Sequence, residues 1–273
     1  MRIDITGDAA RFLPEAEALL RRDALRNTVI ASSVVNQIDR NFAGTRFLAV
    51  RDDEVVGLAQ CTDDGRAYLG DLPADSLPAV VDTLVERVEN LRSVEGSSAE
   101  VDGFLTHWAV AHAGTHRLDY TARLHRLETL RPPTVPGAAR PATADDVALC
   151  LDWFADFDRE IGAAPRALDE ERALRLIERG WWWLWEVDGA PRSFVARQTE
   201  VFGWARIGPV YTPVGLRGNG YASALTAAVS AVIRADGADV CLFTDLANPT
   251  SNKIYESIGF RPVRDFPNYE LTR

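Results

Sequence analysis

The sequence predicts a mixed α/β fold, a mostly antiparallel sheet flanked by helices, arranged as two similar domains. Three observations lead there. Segments with apolar residues at helical spacing alternate with short apolar runs that read as strands. Turn residues join two pairs of those runs as hairpins. Finally, Arg131-Pro132-Pro133-Thr134-Val135-Pro136-Gly137 interrupts the pattern, because its prolines lack backbone donors and fix φ. That stretch sets the expected division: a first domain over 1–130, a linker over 131–137 and a second domain over 138–273.

In the first segment, Phe12 to Val35 mixes Leu, Val and Ala with charges at helical spacing. Arg46–Val50 and Val55–Ala59 then flank Asp52-Asp53-Glu54 as a hairpin does. Ser76 stands where it can cap a helix carrying Leu77, Val80, Val81, Leu84, Val85 and Val88 and ending near Asn90. The remainder to Leu130 reads as strands and a short helix. In the second segment the order repeats. Helices are expected around Asp145–Asp158 and Asp169–Arg179, and a hairpin joins Trp182–Val187 to Arg192–Arg197 across Asp188-Gly189-Ala190-Pro191. A strand at Ala205–Tyr211, a helix from Gly220, a strand at Val240–Thr244, a helix at Ser251–Ile258 and a last strand near Asn268–Leu271 complete it. The halves share the order of elements rather than their residues.

Composition bounds the function. With 273 residues, 47% hydrophobic and 26% charged, the chain buries a core and shows no signature of disorder. A net charge of −10 argues against nucleic acid as a partner, since phosphate-backbone binding depends on clustered Lys and Arg. The start of the chain has no basic–apolar leader pattern, and no apolar run approaches the ~20 residues of a membrane helix, so a cytoplasmic protein with no membrane partner is expected. Cys61, Cys150 and Cys241 are too few and too scattered for a disulfide framework and read as buried thiols.

The chemistry concentrates in Val210-Tyr211-Thr212-Pro213-Val214-Gly215-Leu216-Arg217-Gly218-Asn219-Gly220-Tyr221-Ala222-Ser223, which runs from a strand through a glycine loop into an Ala-rich helix. Glycines let backbone approach a pyrophosphate, and the unpaired N–H groups of a first helical turn point at it. A Walker loop is excluded because Tyr221 follows Gly220 where Gly-Lys-Ser/Thr is needed. A Rossmann loop fits poorly: Pro213 and several residues separate strand from glycines, and too little chain follows Asp245 for the remaining sheet.

Arg217-Gly218-Asn219-Gly220-Tyr221-Ala222 resembles the Q/R-x-x-G-x-G/A signature of the GNAT family of N-acetyltransferases. Thr244 to Phe260 is similar to that family's Asn-containing loop, helix and Tyr-x-x-x-Gly-Phe ending, and Ala139–Asp146 resembles its first strand and helix start. The resemblance covers about residues 138–273. It implies the acyl-CoA N-acyltransferase (GNAT) fold and acetyl-coenzyme A as donor. It also implies transfer to an amine, small molecule or peptide, by direct attack in a ternary complex. A silent acyl-coenzyme A sensor and a transferase of longer acyl groups are the alternatives; the protein is expected as a monomer or homodimer.

By the same resemblance, Val210, Tyr211 and Thr212 lie beside the pantetheine arm, and Arg217, Gly218, Asn219, Gly220, Tyr221, Ala222 and Ser223 cradle the pyrophosphate. Asn248 and Asn252 are further cofactor candidates, and Ser251 looks suited to capping the helix. Tyr255 matches the family tyrosine that protonates the leaving sulfur, a role that a phenol with a pKa near 10 can fill at neutral pH. Glu186 and Glu200 are the candidate general bases on the expected strands. Lys253, the one lysine of the chain, lies on the helix beside the cofactor loop and reads either as an exposed lysine with no special task or as a contact to a coenzyme phosphate. Trp181, Trp182, Trp183 and Trp185 divide between the two faces of a strand, some as core and some available, with Trp153 and Phe157, to line an acceptor pocket. His112 and His116 have the i, i+4 spacing of a helical zinc pair, but Gly114 argues against a helix and no metal is expected. In the first domain, Asp71-Leu72-Pro73-Ala74-Asp75 replaces the glycines, so that half is expected to be a degenerate copy that binds no coenzyme.

Overall fold

In the computed structural model, which describes residues 1–40, 42–163 and 168–272, the elements of the first unit follow from local chemistry. β1 (Arg2–Thr6) leads into α1 (Ala9–Arg22), whose first turn is capped by Asp8 accepting from the Arg11 N–H at 3.0 Å. The buried Asn27 side chain donates to Leu19 O at 3.3 Å and so ends α1 before α2 (Thr28–Ile38) begins. β2 (Thr45–Asp52) and β3 (Glu54–Thr62) form the expected hairpin, turned by Asp53 at φ 61°. β4 (Arg66–Leu69), α3 (Leu77–Arg87), β5 (Ser93–Glu95), α4 (Ser98–His112) and β6 (Thr115–Leu127) complete the series.

Two local expectations change. Ser76 does not cap α3; it ends a 3-10 turn over Ala74–Ser76, and its hydroxyl donates to Pro73 O at 2.7 Å instead. The helix before β6 is not short. α4 runs for 15 residues, anchored by Val101, Phe104, Leu105 and Trp108 in the core beneath it.

The second unit repeats the order: β7 (Ala138–Pro141), α5 (Val147–Glu160), α6 (Glu170–Glu178), β8 (Trp182–Val187), β9 (Ala190–Arg197) and β10 (Trp204–Tyr211). Then come α7 (Tyr221–Ala235), β11 (Asp239–Asp245), α8 (Pro249–Ser257) and β12 (Phe260–Thr272). A capping box opens the turn before α5, with Thr143 and Asp146 satisfying each other's backbone groups. Strands lie in the order β11-β10-β9-β8-β7, with β10 antiparallel to β9 and parallel to β11. Pleating sends side chains to two cores. Trp182, Leu184 and Phe194 pack with Trp153 and Phe154 of α5 and Leu176 of α6, whereas Trp185, Val195 and Ile207 pack with Leu225 and Val229 of α7.

The compact units do not divide at 131–137. One comprises 1–124, 244–249 and the chain from Val263 onward; the other comprises 125–243 and 250–262. Residues 125–137 belong with the second unit because Glu128 N–H donates to Gly259 O and Arg131 N–H to Ile258 O, at 3.1 and 3.0 Å. The end of β12 belongs with the first because Asn268, Tyr269 and Glu270 pair antiparallel with Glu95, Val94 and Ser93 of β5. The first unit's strands therefore run β1-β2-β3-β4-β5-β12-β6, and Leu271 joins its core. Among the described residues no helix is long and apolar enough to cross a membrane.

Candidate functional site

β10 and β11 part after four residue pairs. Their parallel register runs from Trp204 opposite Asp239 to Ile207 opposite Leu242 and stops there, where the β9–β10 register also shifts between Ile207 and Val210. Val210, Tyr211 and Thr212 lie beyond that point. A 3-10 turn over Val214–Leu216 follows, then the glycine loop, then α7.

Both loop glycines are required by conformation: Gly218 has φ 80° and Gly220 φ 79°, a region that disfavours side chains. Gly220 is also closely approached, since a Cβ there would sit 3.0 Å from Val135 Cγ2. Because the N-cap of α7 is this glycine, no side chain caps the helix, and its first turn carries no carboxylate. The amides of Tyr221, Ala222 and Ser223 thus have no intrahelical acceptor and lie at the positive end of a 15-residue helix. The Ser223 hydroxyl turns back to Gly220 O at 2.8 Å, and the Asn219 side chain donates to Leu216 O and Arg217 O at 3.0 and 3.3 Å, which fixes the loop shape.

Arg217 is held from two sides. Its Nε donates to Thr212 O at 2.8 Å and its Nη2 to Glu160 of α5 at 2.5 Å, and Glu160 raises the guanidinium pKa further. It also lies 5.9 Å over the Tyr211 ring. The Tyr211 hydroxyl donates to Asp156 at 3.3 Å; burial first, then this carboxylate, raises its pKa. Thr212 is buried, its hydroxyl bonded to Ser193 Oγ at 2.8 Å. Asp156, Glu160 and Val135 had no distinguishing motif; only the packing of α5 and the linker beside the loop reveals them.

Tyr255 is on α8, part-buried, with its ring 6.0 Å from Phe260 in an edge contact. It packs against the same apolar cluster as Val210 and Tyr221. Burial raises its pKa above the ordinary tyrosine value, which keeps the phenol protonated at neutral pH. Asn252 is on the same helix, half-buried, and Lys253 is exposed. Ser251 is not a cap: α8 already starts at Pro249, a residue suited to a first helical position. Asn248 is exposed and belongs by contact with the other unit, its N–H donating to Asp245 O at 3.0 Å.

The two candidate bases lie elsewhere. Glu186 accepts from Arg140 Nε at 2.6 Å, and Arg140 makes a two-pronged bond to Asp146, so Glu186 is one end of an ion-pair chain joining β8, β7 and the start of α5. Glu200 is exposed in the β9–β10 connection. It precedes β10 and the glycine loop follows it, a separation of roughly 20–25 Å at strand rise. The tryptophans are occupied by packing. Trp182 is buried with Phe154 and Phe194; Trp183 and Trp185 donate to Gly180 O and Pro136 O at 2.8 and 2.9 Å. Trp153 is buried 6.3 Å from the Tyr211 ring, whereas Phe157 and Trp181 are half-buried against the same core.

Residues 193–266 match the FR47-like protein family model, a stretch that runs from within β9 to the middle of β12 and so contains the glycine loop and Tyr255. Among solved structures, the chain is similar to a GCN5-related N-acetyltransferase from Sphaerobacter thermophilus. That match has TM-score 0.67 at 16% identity and covers 98% of this chain and 95% of the other. The chain has the GNAT fold. A GNAT-family acetyltransferase from Colwellia psychrerythraea aligns over 100% of both chains, with TM-score 0.61 and 14% identity. A tandem GNAT protein from the clavulanic acid biosynthesis pathway aligns over 99% of this chain and 98% of its own, with TM-score 0.57 and 14% identity. No match was found among the curated proteins. The GNAT fold recognised from the loop and the Tyr-x-x-x-Gly-Phe ending is thus the fold of the whole chain.

Proposed function

We propose that this GNAT-fold protein is an N-acetyltransferase that uses acetyl-coenzyme A and transfers its acetyl group to an amine, with the second unit as the active half. The observation that carries the reading is the uncapped N-terminus of α7, set behind two left-handed glycines and beside the point where β10 and β11 part. A pyrophosphate fits the chemistry of that place: free amides, a favourable helix dipole and no acid in the first turn. Gly218, Asn219, Gly220, Tyr221, Ala222 and Ser223 would hold it, with Arg217 released from Glu160 to add a charge-assisted contact.

The coenzyme supplies an acyl thioester when bound. The backbone of Val210–Thr212, unpaired with β11, is available to position the pantetheine arm and to donate an N–H toward developing negative charge on the acyl oxygen. Tyr255, like any phenol with a pKa near 10 or above, holds a proton on its hydroxyl at neutral pH and would pass it to the departing sulfur. Glu186 is paired with Arg140 and Glu200 is exposed in the connection before β10, and a base carried by water or by the acceptor itself is the reading favoured over either. The structural neighbours are described as acetyltransferases, and one as a tandem GNAT protein, which agrees with this reading.

The test is thiol release from acetyl-coenzyme A with a panel of small amines and peptides. Turnover with at least one acceptor is expected, and Tyr255→Phe should lower kcat by about 100-fold or more while leaving coenzyme affinity within a few fold. Tight coenzyme binding without turnover across the panel would instead make the protein a silent binding module.

A further inference from the structure

The first unit contains a cluster that the acyl-transfer site does not use. Asp82 on α3 faces two histidines of α4: its Oδ1 lies 2.9 Å from His107 Nε2 and 2.8 Å from His112 Nε2. The three ligand-type atoms all fall within 4.8 Å of one another. Sequence spacing drew attention to His112 and His116, but His116 instead stacks edge-on against Tyr269 at 5.5 Å, and His112 turns toward His107, five residues back on the helix.

We propose that Asp82, His107 and His112 form a divalent transition-metal site of the zinc class, with three protein ligands and the remaining position left to water. Two imidazole nitrogens and one carboxylate are a donor set suited to zinc, and the three-ligand arrangement is one that leaves a position open. The scaffold is rigid. α3 and α4 approach closely at Gly103, where a Cβ would sit 2.4 Å from Leu77 Cδ1, and Val80, Val81 and Leu84 of α3 share a core with Phe104, Leu105 and Trp108 of α4. His112 is the last residue of α4. Ala113 in the left-handed conformation and Gly114, packed on the Trp108 indole, turn the chain immediately after it and fix its position.

Access and geometry also suit an ion. The histidine side chains are 24% and 21% exposed and Asp82 48%, so the ligands open to solvent while their backbones are held by the core. Tetrahedral ligands about 2.0–2.1 Å from zinc lie roughly 3.4 Å apart. The present 2.8–2.9 Å contacts need to open by about half an ångström, which rotation of the half-exposed Asp82 side chain provides. Coordination through Nε2 uses the neutral imidazole tautomer that carries its proton on Nδ1. The bound ion would cross-link α3 to α4. The assignment concerns the first unit alone and is independent of acyl transfer in the second.

Full-length protein stripped with a chelator and titrated with Zn²⁺ alone by calorimetry tests the assignment. One ion per chain is expected, with a matching rise in melting temperature. His112→Ala and His107→Gln should each weaken binding by at least about tenfold and abolish that rise, whereas His116→Ala should leave both unchanged. Circular dichroism of the metal-free variants shows whether α4 still forms; if one variant fails to fold, the other reads the ligand effect. Absence of saturable Zn²⁺ binding to the folded wild-type protein, or equal affinity in the folded His107 variant, would overturn the site.

Discussion

Residues 70–77 and 212–221 stand at the same step of the element order, each following the fourth strand of its unit through a 3-10 turn into a helix. They are built to opposite ends. In the second unit, glycines at φ 80° and 79° leave the α7 amides bare. In the first, Gly70 serves packing, because a Cβ there would sit 2.7 Å from Leu58 O, and Pro78 removes a donor from the first turn of α3. Asp71 pairs with Arg22 and, at 3.1 Å, with Arg26. Arg26 then reaches Gly70 O, Ser97 and Glu100, so arginine in this loop is consumed in closing the fold, whereas Arg217 is half-exposed and exchangeable. The lesson is that the same strand–turn–helix junction can be closed by ion pairs or left with bare helix amides, depending on a few residues.

Measuring coenzyme stoichiometry by calorimetry puts most pressure on this contrast: one molecule per chain is expected, and two would break it. Gly220→Ala should weaken coenzyme binding by about tenfold or more, since a left-handed alanine costs about 1–2 kcal/mol and its methyl pushes on Val135. Gly70→Ala should lower stability without changing coenzyme affinity, which the same calorimetry and a thermal melt would separate.

Arginine substitutions sharpen the comparison. Arg26→Ala leaves Glu100 buried without its partner and should cost about 3 kcal/mol in denaturant unfolding. Arg217→Ala breaks an exposed pair and should cost less than about 1 kcal/mol, while reducing coenzyme affinity and its salt dependence. A last contrast, read by pH rather than by ligand, concerns the helix starts, capped by Asp8 in one unit and by Thr143 with Asp146 in the other. The hydrogen bond from Arg140, reinforced by Thr143, lowers the Asp146 pKa from 3.8 to about 2. Its stabilisation is therefore present above pH 4 and is lost as pH falls toward 2; Asp146→Asn should remove that part of the acid-unfolding curve.

Much of the fold was legible locally. Period-2 and period-3.6 patterns located both hairpins, α5, α6 and α7, and the loop motif located the left-handed glycines, because these depend on neighbours within a few residues. Tyr255 was singled out through the Tyr-x-x-x-Gly-Phe pattern, and the structure packs it against the same apolar cluster as Val210 and Tyr221. Glu186 and Glu200 were less readable. A strand glutamate looks alike whether it faces solvent, a substrate or Arg140, and only the β7–β8 register, which sets Ala138 opposite Glu186 and Arg140 opposite Leu184, shows which.

By itself, then, the sequence determined the kinds of element, their repeated order and the glycine loop, since backbone conformation and amphipathic period are encoded over short windows. Tertiary structure decided what depends on partners far along the chain. It placed the end of β12 beside β5, where open strand edges satisfy each other's hydrogen bonds. It drew Glu160 to Arg217, and it brought Asp82 to two histidines that follow it by 25 and 30 residues, because two helices had to bury one core between them.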